Sequence, residues 1–302
     1  MTATSDVFPQ PAASAAPLAR TRPFWWSVRR EIWENRAIYL AAPIAAGVVI
    51  LGAVLGHTVT HGHVIIQPHG PRPVHVPEVI SYLFAAFAIL LTSTIAGVFY
   101  CLGALNTERR DRSVLFWKSL PVSDLTTVLS KAVVPALIMP VVTLVTIYAA
   151  QLVMLAMDMG HLASQGRSVS YFLSNLPLMQ VWLDLAYAFL LAAFWWAPLW
   201  GWLLLVSAWS KRMTFLWAVG PPLAICVIER MAFGTDYAWK LLVRRLLGGI
   251  GDGFTTPPSH TFELPWPDPL PFLASPGLWI GLVIAAAFLA GAVWMRRRRE
   301  PI

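Results

Sequence analysis

Six stretches of the chain, near 37–57, 80–105, 132–157, 180–208, 213–230 and 275–295, are long and apolar, and the centres of all six lack ionisable side chains. A bilayer-crossing helix needs about 20 such residues. Backbone N–H and C=O groups in lipid must be satisfied within the spanning segment itself, which makes helix the only open-ended solution. The pattern therefore predicts an all-α integral membrane protein with six transmembrane helices in one domain over 24–302. Residues 1–23, rich in Ala, Ser, Thr and Pro with no apolar centre, read as a disordered tail. The fifth run is the exception in quality. Pro221 and Pro222 fall in its middle, which predicts a broken or re-entrant helix.

Composition agrees and removes other classes. Of 302 residues, 57% are hydrophobic and only 12% charged, which is too little charge to solvate an ordinary soluble surface. The net charge of +7 raises nucleic acid as a partner, but the 22 basic residues sit in short clusters beside apolar runs. That distribution is an orientation signal, and no nucleic-acid partner is expected. Arg20, Arg22, Arg29, Arg30 and Arg36, then Arg109, Arg110, Arg112, Lys118 and Lys131, then Lys211, Arg212 and Arg296 to Arg299 share one side. Arg72, Arg167, Arg230, Lys240, Arg244 and Arg245 hold the other. Sixteen basic residues against six place both termini in the cytoplasm. The two cysteines, Cys101 and Cys226, lie in different apolar runs and suggest neither a disulfide framework nor a thiol metal motif.

Two further segments carry helical amphipathicity outside the spans. Between Phe24 and Arg36, the residues Phe24, Trp25, Val28, Ile32 and Trp33 repeat at helical spacing, opposite Arg29, Arg30, Glu31 and Glu34. This predicts an N-terminal interfacial helix lying on membrane lipid. Tyr237 to Leu247 repeats the theme, with Trp239, Leu242, Val243 and Leu246 against Lys240, Arg244 and Arg245.

The most informative polar segment is the connection from Asn106 to Lys131. It opens with Glu108, Arg109, Arg110, Asp111 and Arg112, turns apolar through Val114, Leu115, Phe116 and Trp117, and continues through Leu120, Pro121, Val122 and Ser123. A short amphipathic helix ending at Pro121 is expected, with Ser123 or Asp124 capping the helix that leads into the third span. Apolar side chains on an exposed connection require a cover, either lipid or a partner protein. The order of Glu with basic residues, a short apolar helix, Leu-Pro-Val-Ser and a closing Lys resembles the coupling loop of type-2 ABC exporter permeases. The matching residues are Glu108, Arg109, Leu115, Leu120, Pro121, Val122, Ser123 and Lys131, while Arg112 and Ser113 stand where the family usually has a Gly-Thr pair. The layout is similar too, with an amphipathic elbow helix from Phe24 to Arg36, six spans, a cytoplasmic loop between the second and third and a broken region between the fifth and sixth.

The resemblance implies a multi-pass permease subunit of a bacterial inner membrane, paired with itself or a paralogue. It would be driven by separate ATP-binding cassette ATPase subunits that grip the coupling helix through Leu115, Phe116, Trp117 and Leu120. Arg109, Arg110 and Arg112 would steer acidic surface. No cofactor is expected, and ATP hydrolysis is assigned to the partner. The sequence lacks G-x-x-x-x-G-K-[ST], and the glycine-rich 248–253 segment has no lysine to reach phosphates. With no carboxylate or histidine at the centre of a span, ion-driven transport lacks its usual groups.

Three other patterns offer rival or additional readings. His57, His61, His63, His69 and His75 on the outer connection have the type and density of metal ligands, but Pro68, Pro71, Pro73 and Pro77 stiffen the path and favour a solvated loop. A metal-handling protein or enzyme using these histidines, or a non-transporting anchor or sensor subunit, are the alternatives to a permease. Trp195, Trp196, Trp200 and Trp202 crowd the middle of the fourth run around Pro198, which should kink it. They pack within the protein or against lipid, or they line a path for a lipid-like or aromatic substrate. Gly52 and Gly56, with Gly277, Gly281 and Ala285, have the four-residue spacing that lets helices approach closely.

Overall fold

The computed structural model describes residues 21–60, 76–111, 122–166, 168–176, 178–248, 254–255, 266–267 and 269–298. These residues are helical apart from connecting turns and a two-residue antiparallel ladder that pairs β1 (Phe254–Thr255) with β2 (Trp266–Pro267). Six helical segments are long and apolar enough to cross a membrane: Ala37–Gly56, Ile80–Arg110, Asp124–Ser164, Leu178–Trp195, Thr214–Phe233 and Pro276–Arg298. The expected run positions and the element types agree.

In chain order, helix α1 (Thr21–Glu34) precedes α2 (Ala37–Thr60) and α3 (Val76–Ala104), and α4 (Asn106–Arg110) follows at the end of α3. Helix α5 (Asp124–Val133) continues through a π-helical turn, Val134–Ile138, into α6 (Met139–Ser164). Then come α7 (Val169–Asn175), α8 (Leu178–Trp195), α9 (Ala197–Trp209), α10 (Thr214–Phe233), α11 (Tyr237–Leu247), α12 (Pro269–Ala274) and α13 (Pro276–Arg298). The π-turn holds Pro135, and Pro140 is the second residue of the helix that follows it. A proline supplies no N–H to the ladder, and the wider turn is where this helix absorbs the missing donors.

One part of the core is built from small residues where helices meet. Ala42, Ala45 and Ala46 of α2 face Ala86 and Ile89 of α3 and Ile147 and Ala150 of α6, so three helices approach closely around a buried Phe189. Helix α9 packs along α13. At their crossing, a Cβ on Gly201 would lie 3.2 Å from the Ala285 carbonyl oxygen. Ala285 of the small-residue series therefore marks a helix contact. Gly277 and Gly281 do something else: they face Trp195 and the Arg245 guanidinium, and a Cβ on Gly281 would overlap that guanidinium. Gly52 and Gly56 face open space.

The proline prediction in the fifth run fails, and a hydrogen bond explains why. Helix α10 runs unbroken through Pro221 and Pro222. Pro222 leaves the carbonyl of Ala218, four residues earlier, without its helical donor. The indole Nε1–H of Trp202 donates to that oxygen at 2.9 Å, replacing the lost bond from the neighbouring helix. The fourth run behaves as expected from Pro198: it divides at Trp196 into α8 and α9, with Pro198 in the first turn of α9.

The polar groups at the end of the bundle where α6 meets α8 are tied together. Gln151 is fully buried, donates to the Tyr82 carbonyl and accepts from Trp182 Nε1 at 2.7 Å. Tyr82 donates to Asp158 at 2.7 Å. The carboxylate of Glu229 accepts from the backbone N–H groups of Tyr237 and Ala238 at the start of α11.

Candidate functional site, a buried ion cluster beneath the 106–131 connection

Helix α1 ends near α2 through Asn35, whose side chain and backbone both donate to the Glu31 carbonyl. The helix packs on α5, but not by the face expected from amphipathicity. Val28 and Glu31 are buried, Phe24 and Ile32 are half-buried, and Trp25 and Trp33 are exposed. The assignment of Glu31 to a solvated face with Arg29 and Glu34 is therefore corrected. Moment arguments sort residues by polarity, and here a carboxylate is turned inward because three donors are waiting for it. The outward face carries Trp25, Trp26 and Trp33, with the Arg29 guanidinium stacked 4.6 Å from the Trp33 ring centre and 5.4 Å from that of Trp26. Aromatic rings with a stacked cation suit a membrane interface.

The three donors to Glu31 come from three different elements. Its Oε1 accepts from Lys131 Nζ and from Arg30 Nη2, both at 2.8 Å, and its Oε2 accepts from Tyr100 Oη at 3.0 Å. Glu108 is the second centre. Its Oε1 pairs with Arg30 Nη2 at 2.8 Å and Lys131 Nζ at 3.1 Å, and its Oε2 accepts from Arg296 Nη1 at 2.7 Å. Arg296 also donates through Nε to Asp124 at 3.0 Å. Glu31, Glu108, Lys131 and Arg296 are each less than 10% exposed. Glu31, Glu108 and Asp124 thus face Arg30, Lys131 and Arg296, with Glu34 3.5 Å from Arg30 and Arg297 3.9 Å from Asp124 at the edge, so that carboxylates and cations balance. Burial opposes the charge on Arg30, but Glu31 and then Glu108 outweigh it, and its guanidinium is held above its ordinary value.

Each partner is placed by local structure. Ser123 caps α5, accepting from the Thr126 backbone N–H at 3.1 Å, and Asp124 follows in the first turn, where the helix dipole favours a carboxylate. Lys131 then lies on the buried face of α5 with Thr127, Val128 and Ser130. At the other end of the connection, Ser207 of α9 accepts from the Leu105 and Asn106 backbone N–H groups, both at 3.0 Å, and donates to the Leu102 carbonyl. That fixes the exit of α3 and directs α4 under α1, and the Asn106 amide adds a bond to the Ser210 carbonyl.

The sequence-based site residues divide accordingly. Glu108 and Lys131, at the two ends of the connection, meet with Nζ 3.1 Å from Oε1, a contact the sequence reading did not foresee. Val122 and Ser123 lead into α5. Arg110 is exposed, whereas Arg109 is buried and donates through Nη1 to the Ala208 carbonyl in the last turn of α9. A steering role for Arg109 is therefore corrected to a strut that satisfies a helix C-terminus. Arg112, Leu115, Phe116, Trp117, Leu120 and Pro121 lie outside the described residues, as do His61, His63, His69 and His75. Among the described residues no group of three or more His, Cys, Asp or Glu could hold a metal. Sequence reasoning missed Glu31, Tyr100 and Arg296 as members of the cluster; the signal was a carboxylate and an arginine flanking apolar runs, with no register to join them.

The arrangement holds charge and holds position. It ties the N-terminal helix, both ends of the 106–131 connection and the last turn of α13 into one rigid junction. The chain matches no family profile, no curated protein and no solved structure at a significant level.

Proposed function

We propose that the chain is the permease subunit of an ATP-driven ABC exporter of the type-2 kind, with both termini cytoplasmic in a bacterial inner membrane. It works as a dimer with itself or a paralogue, and its 106–131 connection is gripped by a separate ATP-binding subunit. The observation that carries the reading is the buried ion cluster. Both ends of the connection, at Glu108 and at Asp124 and Lys131, are bonded to the N-terminal helix and to Arg296. A push on the connection is therefore delivered to the helix bundle rather than lost in a loose hairpin.

A second feature supports the same mechanics. Asp124–Ser164 is one continuous helical rod of 41 residues. At about 1.5 Å per residue it is roughly 60 Å long, about twice the hydrocarbon thickness. The rod projects past the lipid, and α5, bearing Asp124 and Lys131, is the segment that joins the connection to the apolar part. Force applied at α5 reaches the π-turn and α6 along a single element. In this reading Leu115, Phe116, Trp117 and Leu120 contact the ATPase, and Arg110 and Arg112 face acidic surface.

The test is co-expression with ATP-binding subunits of the same genome, followed by co-purification and ATPase assay. The wild-type chain retains one such subunit and alters its ATPase rate. Leu115→Asp and Phe116→Asp lose retention or coupling while the spans stay folded. Unchanged retention and coupling in both variants would remove the connection from the mechanism.

A further inference from the structure

Helix α11 turns an arginine toward the bundle. The sequence pattern groups Arg245 with Lys240 and Arg244 on one polar face, opposite Trp239 and Leu246. In the fold, Ala238, Leu242, Val243 and Arg245 are half-buried, while Trp239, Leu241, Leu246 and Leu247 are exposed. Arg245 leaves the polar face for a socket made by α8 and α13. Its guanidinium lies 4.4 Å from the centre of the Trp195 ring, and the Trp195 indole N–H donates to the Arg245 carbonyl at 3.1 Å. Nη1 donates to the Gly277 carbonyl at 3.2 Å, and Nη2 lies against Gly281, where a Cβ would overlap it. These contacts fix where the charge sits.

The charge itself is not matched. Among the described residues no carboxylate pairs with Arg245, in contrast to Arg30, Lys131 and Arg296 at the other end of the bundle. From Gly281 to Arg296, α13 rises roughly 22 Å at about 1.5 Å per residue. Arg245 therefore lies within a hydrocarbon layer about 30 Å thick, toward the side away from the ion cluster. Charges at such depth pair with an opposite charge or with backbone oxygens, and the Gly277 carbonyl supplies only a dipole. Nη2 is buried and closed to any ligand. Nη1 is open: its bond to Gly277 lies at the surface, and it carries a second N–H. The surface beside it is apolar, with Leu241 one turn earlier on the same side of α11 and Ile280 on α13 both exposed.

We propose that Arg245 binds the phosphodiester of a phospholipid, with a phosphate oxygen accepting from Nη1 and the acyl chains covering Leu241 and Ile280. Charge selects an anion, and the apolar rim selects one that brings its own hydrocarbon rather than free phosphate. The site belongs to one subunit and stands whether or not an ATPase drives the protein.

The test is made in dodecyl maltoside micelles, which bring no phosphate. Two photoprobes share identical acyl chains with a diazirine near the ester end: a phosphatidylglycerol and the corresponding diacylglycerol. Labelled residues are mapped by mass spectrometry. The phosphatidylglycerol probe labels Leu241 and Ile280 saturably, at about ten-fold lower concentration than the diacylglycerol, as one hydrogen bond to a charged group provides. Arg245→Gln removes that preference at α11 and α13 and leaves labelling beside Trp25 and Trp33 on α1 unchanged, which a loss of fold would not do. Arg245→Lys, which keeps the charge, keeps part of the preference. Equal labelling of Leu241 and Ile280 by the two probes in the wild type, the result of a purely structural arginine, overturns the proposal and needs no variant. Displacement of the phosphatidylglycerol probe by millimolar inorganic phosphate assigns the site to the free anion and overturns it as well.

Discussion

At Glu108, one carboxylate is shared among three cations from three elements, which makes it the residue where sequence and mechanics meet most directly. Two of its neighbours, Arg30 and Lys131, also bond Glu31, so the cluster is closed rather than a chain of separate pairs. A buried ion pair gains little against an apolar replacement of both partners, but removing one partner strands the others. Glu108→Gln therefore removes the one carboxylate common to Arg30, Lys131 and Arg296, leaving Glu31 to Arg30 and Lys131, Glu34 to Arg30 and Asp124 to Arg296. It should destabilise the protein by about 3–5 kcal/mol, read as a fall in the midpoint of thermal unfolding in detergent. Exchanging charges as Glu108→Lys with Lys131→Glu should recover part of that loss, while Glu108→Lys alone is worse than Glu108→Gln. Resemblance to a coupling loop singled out Glu108 and Lys131 in the sequence. The third partner was hidden because Arg296 lies in a run of four arginines that reads as an orientation signal, and nothing in the letters distinguishes the one that turns inward.

Among the elements, the six spans were legible because run length and apolarity are local properties, and the α8–α9 break was legible because Pro198 acts on its own helix. The continuity of α10 was not, because the donor that replaces the lost bond comes from another helix. That explanation makes a paired prediction. Trp202→Phe leaves the Ala218 carbonyl without a donor and should cost about 1–2 kcal/mol. Pro222→Ala restores the helix's own N–H, so in its background Trp202→Phe should cost much less, a non-additivity measured by a double-mutant cycle of unfolding midpoints. The glycines give a ranking at the same scale. Gly201→Ala meets backbone at Ala285 and the Phe288 Cβ and should lower stability most. Gly281→Ala meets only the mobile end of Arg245, which lies 4.4 Å over the Trp195 ring, and should displace it at moderate cost. Gly52→Ala meets nothing and should be neutral or slightly stabilising, since helix propensity favours Ala. Reversal of the order of Gly201→Ala and Gly52→Ala in thermal unfolding would contradict the packing described.

For the whole molecule, the N-terminal helix, both ends of the 106–131 connection and the end of α13 meet at one end of the bundle, around a charge-balanced junction. The outward tryptophans of α1 and helix α5 flank that junction, and the apolar residues 114–117 belong to the connection it anchors. The account of the chain as the driven half of a machine rests on what covers those apolar residues. Site-specific replacement of Phe116 by photo-crosslinkable benzoylphenylalanine, irradiated in intact cells, tests it most directly. The account predicts one dominant adduct with a cytoplasmic ATP-binding cassette subunit, lost on Leu115→Asp. Adducts confined to lipid or to proteins of the opposite side of the membrane would contradict it.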